Sequence, residues 1–179
     1  RRARPGSRLH PGHGGDAIDG VVERGNRADA GSLRTCHEVR LGEGQPIDGG
    51  GAIHAQAEWP AGGIRSGALD RSGVREVFDT GVRALNALTT FGIGQRIGIM
   101  AGSGVGKSVL LDMIAHGAEA DVVVVGLIGE RAREVSDFVE RHMDTARRDR
   151  TVVVAVPADH APNLRLRGAM LATSLAEYF

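Results

Sequence analysis

The chain is poor in cysteine, lysine and aromatic residues, and it has no long apolar run. Its single cysteine, Cys36, excludes an internal disulfide framework and suits a reducing compartment. No stretch of 18 or more apolar residues occurs, so no membrane-spanning helix is encoded. The opening RRARPGSRLHPGHGGD carries charge but no apolar segment, so it does not read as a secretory signal. Neither sign of charge prevails, with 22 Lys+Arg against 22 Asp+Glu. That balance argues against a strongly basic nucleic-acid binder and against an acidic solvating tail. Its 179 residues suit one domain, or one domain and a tail. With no initiator Met, and with Phe179 falling inside an apolar-periodic stretch, the chain is expected to be a fragment of a longer protein.

What is present divides unevenly. Residues 1–73 hold 16 of the 27 Gly and 4 of the 6 Pro, but only 12 large apolar residues. Residues 74–179 hold 38 large apolar residues, including all four Phe and all four Met. The first part cannot offset its ordering entropy by burial, and the expectation is a disordered or irregular N-terminal segment and linker. The second part can build a core. Within it, the periodicity predicts a strand over Arg96–Met100, a loop over Ala101–Gly106 and a helix over Lys107–Gly117. A strand over Asp121–Ile128, a helix over Arg131–Met143, a strand over Thr151–Val156 and a helix over Asn163–Tyr178 follow. This alternation predicts an α/β fold, a parallel sheet with right-handed crossovers and flanking helices. The strand tips near 101, 129 and 157 should then share the edge where ligands bind.

Lysine is the sharpest scarcity. The chain has 21 Arg and one Lys, Lys107. A coding bias with one survivor would explain this, and so would a site that needs a compact ammonium rather than a planar fork. The neighbours favour the second reading. Ala101-Gly102-Ser103-Gly104-Val105-Gly106-Lys107-Ser108 matches the phosphate-loop pattern G-x-x-x-x-G-K-[ST] except at its first position, Ala101. Small residues let backbone N–H groups turn inward around phosphates, and a helix N-terminus adds partial positive charge. In such a loop Lys107 reaches the β- and γ-phosphates and the Ser108 hydroxyl is placed to bind Mg²⁺. The alternative is a Gly-rich strand-to-helix connection with no ligand.

Glu130, at the tip of the next strand, is a candidate to orient or deprotonate an attacking water. A first-turn carboxylate favoured by the helix dipole is the competing explanation. Arg131 and Arg133 could stabilise phosphate charge or pair with Glu134.

Three segments together resemble a known family, the flagellum-specific export ATPases. They are Thr80–Ala115 (TGVRALNALTTFGIGQRIGIMAGSGVGKSVLLDMIA), Ala120–Glu140 (ADVVVVGLIGERAREVSDFVE) and Val156–Phe179 (VPADHAPNLRLRGAMLATSLAEYF). That family stands with the injectisome secretion ATPases and is related to the catalytic subunits of rotary ATP synthases. The resemblance covers about residues 74–179 and implies an incomplete P-loop, RecA-like ATPase domain there. It implies ATP and Mg²⁺ as cofactors. It places the ATP phosphates on Gly102, Ser103, Gly104, Val105, Gly106, Lys107, Ser108 and Val109, the metal on Ser108, and catalytic roles on Lys107, Glu130 and Arg131. It implies a homohexamer, cytoplasmic and peripheral at the inner face of the membrane. The implied partners are the flagellar export gate, cytoplasmic export components, chaperones and export substrates, with no nucleic acid. An injectisome ATPase and a rotary ATP synthase catalytic-type subunit are the alternatives. An RNA-translocating hexamer would need an aromatic platform upstream, and residues 1–73 hold one aromatic, Trp59. By the same resemblance the acid-tipped strand, the interface Arg and the adenine pocket lie beyond Phe179, so this chain alone is expected to be inactive.

Residues 41–73 weakly resemble the linker from the family's N-terminal barrel. Residues 1–40 match nothing expected, and an out-of-frame translation of a GC-rich gene would produce such text. His10, His13, Cys36 and His37 lack zinc-ligand spacing. Asp159-His160 reads as a polar loop at the active edge.

Overall fold

Thr151–Val156 is a run of β-branched and small apolar residues with no charge, and it becomes the centre of the molecule. In a computed structural model this strand, β3, is buried along its whole length. The structure describes residues 39–40, 44, 46–47, 59–60, 67–102, 104–143 and 150–179. Two strands flank β3, both parallel to it: β1 (Val39–Arg40) and β2 (Val123–Ile128), in the order β1-β3-β2. The β2–β3 register runs from Val123 opposite Thr151 to Ile128 opposite Val156. Four helices complete the described elements: α1 (Arg83–Leu88), α2 (Lys107–Gly117), α3 (Ala132–Met143) and α4 (Pro162–Tyr178).

Alternate side chains of β3 serve opposite faces, as the strand period requires. Val152 and Val154 pack with Leu171 and Leu175 of α4, joined by Val124, Ile128, Ala172 and Tyr178. Val153 and Ala155 pack with Val135 and Phe138 of α3, joined by Val125, Leu127 and Val139. One helix therefore covers each face of the β2–β3 pair, the layered arrangement the sequence predicts. Pro162 starts α4 where its missing N–H costs nothing. At the other end of α4, Trp59 meets Tyr178 edge-on with ring centroids 5.5 Å apart, and Tyr178 meets Phe179 in the same way. Arg150, just ahead of β3, donates to the carbonyl of Ala120, just ahead of β2, at 2.7 Å.

Five of the predicted strands and helices appear within two residues of their expected bounds, and two of them, Lys107–Gly117 and Thr151–Val156, have the expected bounds. A sixth, Arg96–Met100, does not form a strand. It joins no ladder among the described residues, and Ile97 and Met100 are 43% and 94% exposed. The apolar pattern of the segment registers a demand for burial, but a strand also needs a neighbour to receive its hydrogen bonds. Both edges of β3 are taken by β1 and β2, and the segment pairs with neither outer edge.

The segment ahead of the phosphate loop is organised differently. Thr80, almost fully buried, donates through its hydroxyl to Asn86 Oδ1 at 2.8 Å, and its own oxygen receives the Val82 N–H at 3.2 Å. Asn86 Nδ2 and the Gly81 N–H both donate to Asp79 Oδ1, at 2.6 and 2.7 Å. These bonds fold the chain into α1, which sequence periodicity does not reveal because it is six residues long. Phe78 N–H to Phe91 O and Ile93 N–H to Glu76 O then tie the two flanks of α1 together. Gly81, at φ +70°, lets this turn press against the end of α2: a side chain there would fall on the Gly117 backbone. The Glu119 N–H donates to the Asp79 carbonyl across the same contact at 3.1 Å.

Candidate functional site

Helix α2 begins at Gly106, whose φ of +97° no side-chain-bearing residue adopts cheaply, and Gly104 precedes it at +77°. No side chain caps this helix and no acid lies in its first turn. Its leading N–H groups are therefore offered outward with the positive end of the helix dipole. At Gly102, Gly104 and Gly106 the space a Cβ would enter holds no protein atom within 4 Å. The glycines are thus required by backbone conformation and by open space, not by packing, which is the condition for an anion to approach main-chain amides. Lys107 and Ser108 are exposed at the mouth of the helix. Val105 and Val109 flank them, 67% and 58% exposed. Ser103 lies outside the described residues. This arrangement fits a polyphosphate: compact, uncapped amides, one ammonium and one hydroxyl suited to a Mg²⁺ ion.

The β2–β3 pair continues zipped past its strand ends. The Gly129 N–H donates to the Val156 carbonyl at 2.8 Å, and the Ala158 N–H donates to the Glu130 carbonyl at 2.9 Å. Glu130 is therefore fixed at the sheet's carboxyl edge, next to the Pro157–His160 turn. Two of the three expected tips, 129 and 157, are neighbours. The third, near 101, is not held by a ladder, yet Lys107 lies close enough for its charge to act on Glu130. A hydrogen bond with the Glu134 carboxyl raises the Glu130 pKa above the usual glutamate range, burial and the Glu134 charge add to this, and the Lys107 ammonium opposes it.

Arg131 is exposed at the start of α3, where its carbonyl receives the Val135 N–H. Arg133 approaches Asp137 at 3.9 Å, one turn on, and is 90% exposed. Sequence reasoning gave Glu134 as a partner for Arg131 or Arg133 and left one neighbour aside, Arg165 of α4, whose Cδ stands 4.0 Å from where a Gly129 side chain would begin; no motif spacing pointed to it. Asp159 and His160 contact each other at 3.3 Å in the neighbouring turn. Among the described residues no cluster of three or more metal-ligating side chains occurs. His10, His13, Cys36 and His37 lie outside the described residues.

Comparison with known proteins gives a consistent picture. The ATP synthase alpha/beta family, nucleotide-binding domain, matches residues 81–179. The flagellum-specific ATP synthase of Salmonella typhimurium is 47% identical over 180 residues, covering 98% of this chain and 38% of that protein. A type 3 secretion system ATPase of Sinorhizobium fredii is 41% identical over 172 residues, covering 90% of this chain and 38% of its own length. Among solved structures, the assembled ATPase EscN of the enteropathogenic E. coli type III secretion system superposes with a TM-score of 0.74 at 40% identity, over 83% of this chain and 36% of that one. The chain thus spans about 38% of the relatives' length. The Salmonella alignment extends over most of residues 1–40.

Proposed function

The chain belongs to the ATP synthase alpha/beta family by its nucleotide-binding domain, and on that premise we propose that it carries the phosphate-binding part of a site that hydrolyses Mg-ATP to energise protein export through a flagellar type III apparatus. The observation that carries this reading is the uncapped mouth of α2, where Lys107 and Ser108 stand exposed behind positive-φ glycines, together with Glu130 fixed at the tip of β2.

The residues divide the work. Backbone amides of 102–107 and the α2 dipole receive the phosphate chain. The Lys107 ammonium offsets charge on the β- and γ-phosphates, and the Ser108 hydroxyl holds Mg²⁺, which when bound neutralises the charge that develops on the phosphate oxygens. Glu130 orients the attacking water and takes up its proton, for which it must be ionised. Arg131 supplies positive charge at the same edge. Residues 74–179 are proposed as the partial ATPase domain and 1–73 as an N-terminal segment and linker.

EscN is described both as assembled and in complex with the central stalk EscO. By that likeness the intact protein is proposed to act as a homohexamer on cytoplasmic export components, chaperones and substrates. It would sit at the inner face of the membrane. No helix among the described residues is long and apolar enough to cross one. The injectisome reading rests on the Sinorhizobium and EscN likenesses; export of flagellin or of injectisome effectors in a deletion strain complemented with the intact gene decides between them.

The test of the shared core is Lys107→Ala in the intact protein. Hydrolysis should fall by about three orders of magnitude or more, on the scale of losing a preorganised cation at a transferring phosphoryl group. Normal turnover in that variant would remove the phosphate-loop assignment.

A further inference from the structure

The buried residues of α4 are Gly168, Leu171, Ser174 and Leu175. Arg165, one turn before Gly168, continues their stripe towards the carboxyl edge of the sheet. Two close approaches fix how α4 lies on β2. A side chain on Gly126 would meet Ala172 Cβ at 3.2 Å, and one on Gly129 would meet Arg165 Cδ at 4.0 Å. Seven residues of helix and three of strand both span about 10 Å, so the two approaches are in register and α4 runs antiparallel to β2. Cδ is the last methylene before the guanidinium. The charged head is thereby delivered beside the Gly129–Glu130 peptide. That peptide is itself held, by the Gly129 N–H on the Val156 carbonyl and the Ala158 N–H on the Glu130 carbonyl.

Nothing among the described residues answers the charge of Arg165. Its guanidinium has no hydrogen bond or ion pair there, and only its main-chain N–H is used, donating to the Ala161 carbonyl at 3.2 Å. The residue is half-buried. It closes the first turn of α4, a turn with no acidic residue and no side-chain cap, where the helix dipole opposes a cation. An apolar residue would suit the position better unless an anion comes to it. Resting on the reading of the phosphate loop as an ATP site, we propose that Arg165 is a further catalytic residue of that site, whose guanidinium contacts the terminal phosphoryl group of Mg-ATP. Its planar fork can reach two phosphoryl oxygens at once. Lys107 and the loop amides hold the phosphate chain from α2. Arg165 comes from α4, at the strand tip where Glu130 orients the water. As the water oxygen bonds to the terminal phosphorus, its proton passes to Glu130 and the bond to the ADP oxygen breaks. Arg165 transfers nothing; it offsets the charge on the transferred group. The competing role is packing alone, in which the methylene stem covers Gly129 and the head is solvated.

Two substitutions in the intact protein separate these roles. Arg165→Met keeps the stem and removes the charge; Arg165→Lys keeps the charge without the fork. Each is followed by steady-state ATPase kinetics and by equilibrium binding of Mg-ADP and of a Mg-ATP analogue with a non-hydrolysable β–γ link. Arg165→Met should lower kcat about a hundredfold, the scale of removing one preorganised donor from a reacting group. It should weaken the analogue about tenfold and Mg-ADP less than about twofold, since only the analogue carries the contacted group and a charge-assisted hydrogen bond is of that size. Arg165→Lys should recover part of both losses. Turnover at the parent level in Arg165→Met, or equal weakening of the two nucleotides, overturns the proposal and leaves the packing role. Lys107→Ala tests the underlying ATP site independently. Lys107 serves the β- as well as the γ-phosphate, so its loss should weaken both nucleotides, and unchanged binding of both would remove the loop assignment whatever Arg165 does.

Discussion

At the scale of single residues, the site depends on which charges can approach which. Lys107 was legible at once, because it is the only lysine among 22 basic residues and follows a run of small ones. Glu130 was legible as a candidate but not as a perturbed acid, since its partners come from one turn on and from another helix. Replacing Glu130 by Gln should leave nucleotide binding intact and slow hydrolysis by about two orders of magnitude in the intact protein; equilibrium binding and turnover measured side by side check both halves. Asp79 gives a separate, pH-based expectation. Its two hydrogen bonds, from Gly81 and Asn86, lower its pKa below the ordinary aspartate value of 3.8. A depressed carboxylate contributes stability above its unfolded-state pKa and loses it as pH falls through the folded value. Asp79→Asn should therefore weaken the α1 turn at neutral pH and show a smaller loss of stability on acidification below about pH 4 than the parent, as followed by thermal unfolding.

At the scale of elements, the sequence revealed what burial alone dictates and missed what depends on pairing. β3 is apolar on both faces, and α3 and α4 carry their apolar positions at helical spacing, so their burial was readable. Leu175, 1% exposed between β3 and α4, should cost about 2–5 kcal/mol on substitution by Ala, measurable by denaturant unfolding. The segment Arg96–Met100 shows the converse. Its pattern resembles that of β2, yet pattern specifies no hydrogen-bond neighbour, and the segment remains outside the sheet. α1 escaped notice because its stability comes from side-chain bonds of Asp79, Thr80 and Asn86 rather than from periodicity. The junction of Gly81 with Gly117 is likewise invisible to pattern, because it is a backbone contact. A side chain at Gly117 would stand 2.9 Å from the Gly81 Cα. Gly117→Ala should therefore lower the melting temperature and separate the end of α2 from the 79–82 turn, detectable as faster amide exchange at Glu119.

At the scale of the whole molecule, among the described residues α2 buries none of its own fully; its links to the rest include the 79–82 turn and an Arg141–Asp112 approach of 3.5 Å. A ligand that engages both the loop and the strand tip would add a link between these parts. Mg-ATP should then stabilise the chain in a concentration-dependent way, by about 2.7 kcal/mol at a hundredfold excess over its dissociation constant, seen as a rise in melting temperature, and Lys107→Ala should remove the effect.

The lone indole, Trp59, supplies an optical label that nature has already installed. Because it rests edge-on against Tyr178 at the far end of α4, its emission reports whether the chain upstream of residue 67 is seated on the globule. Excitation at long wavelength, with Tyr178→Leu as the control, would follow that seating through a titration or a stopped-flow trace without attaching any dye.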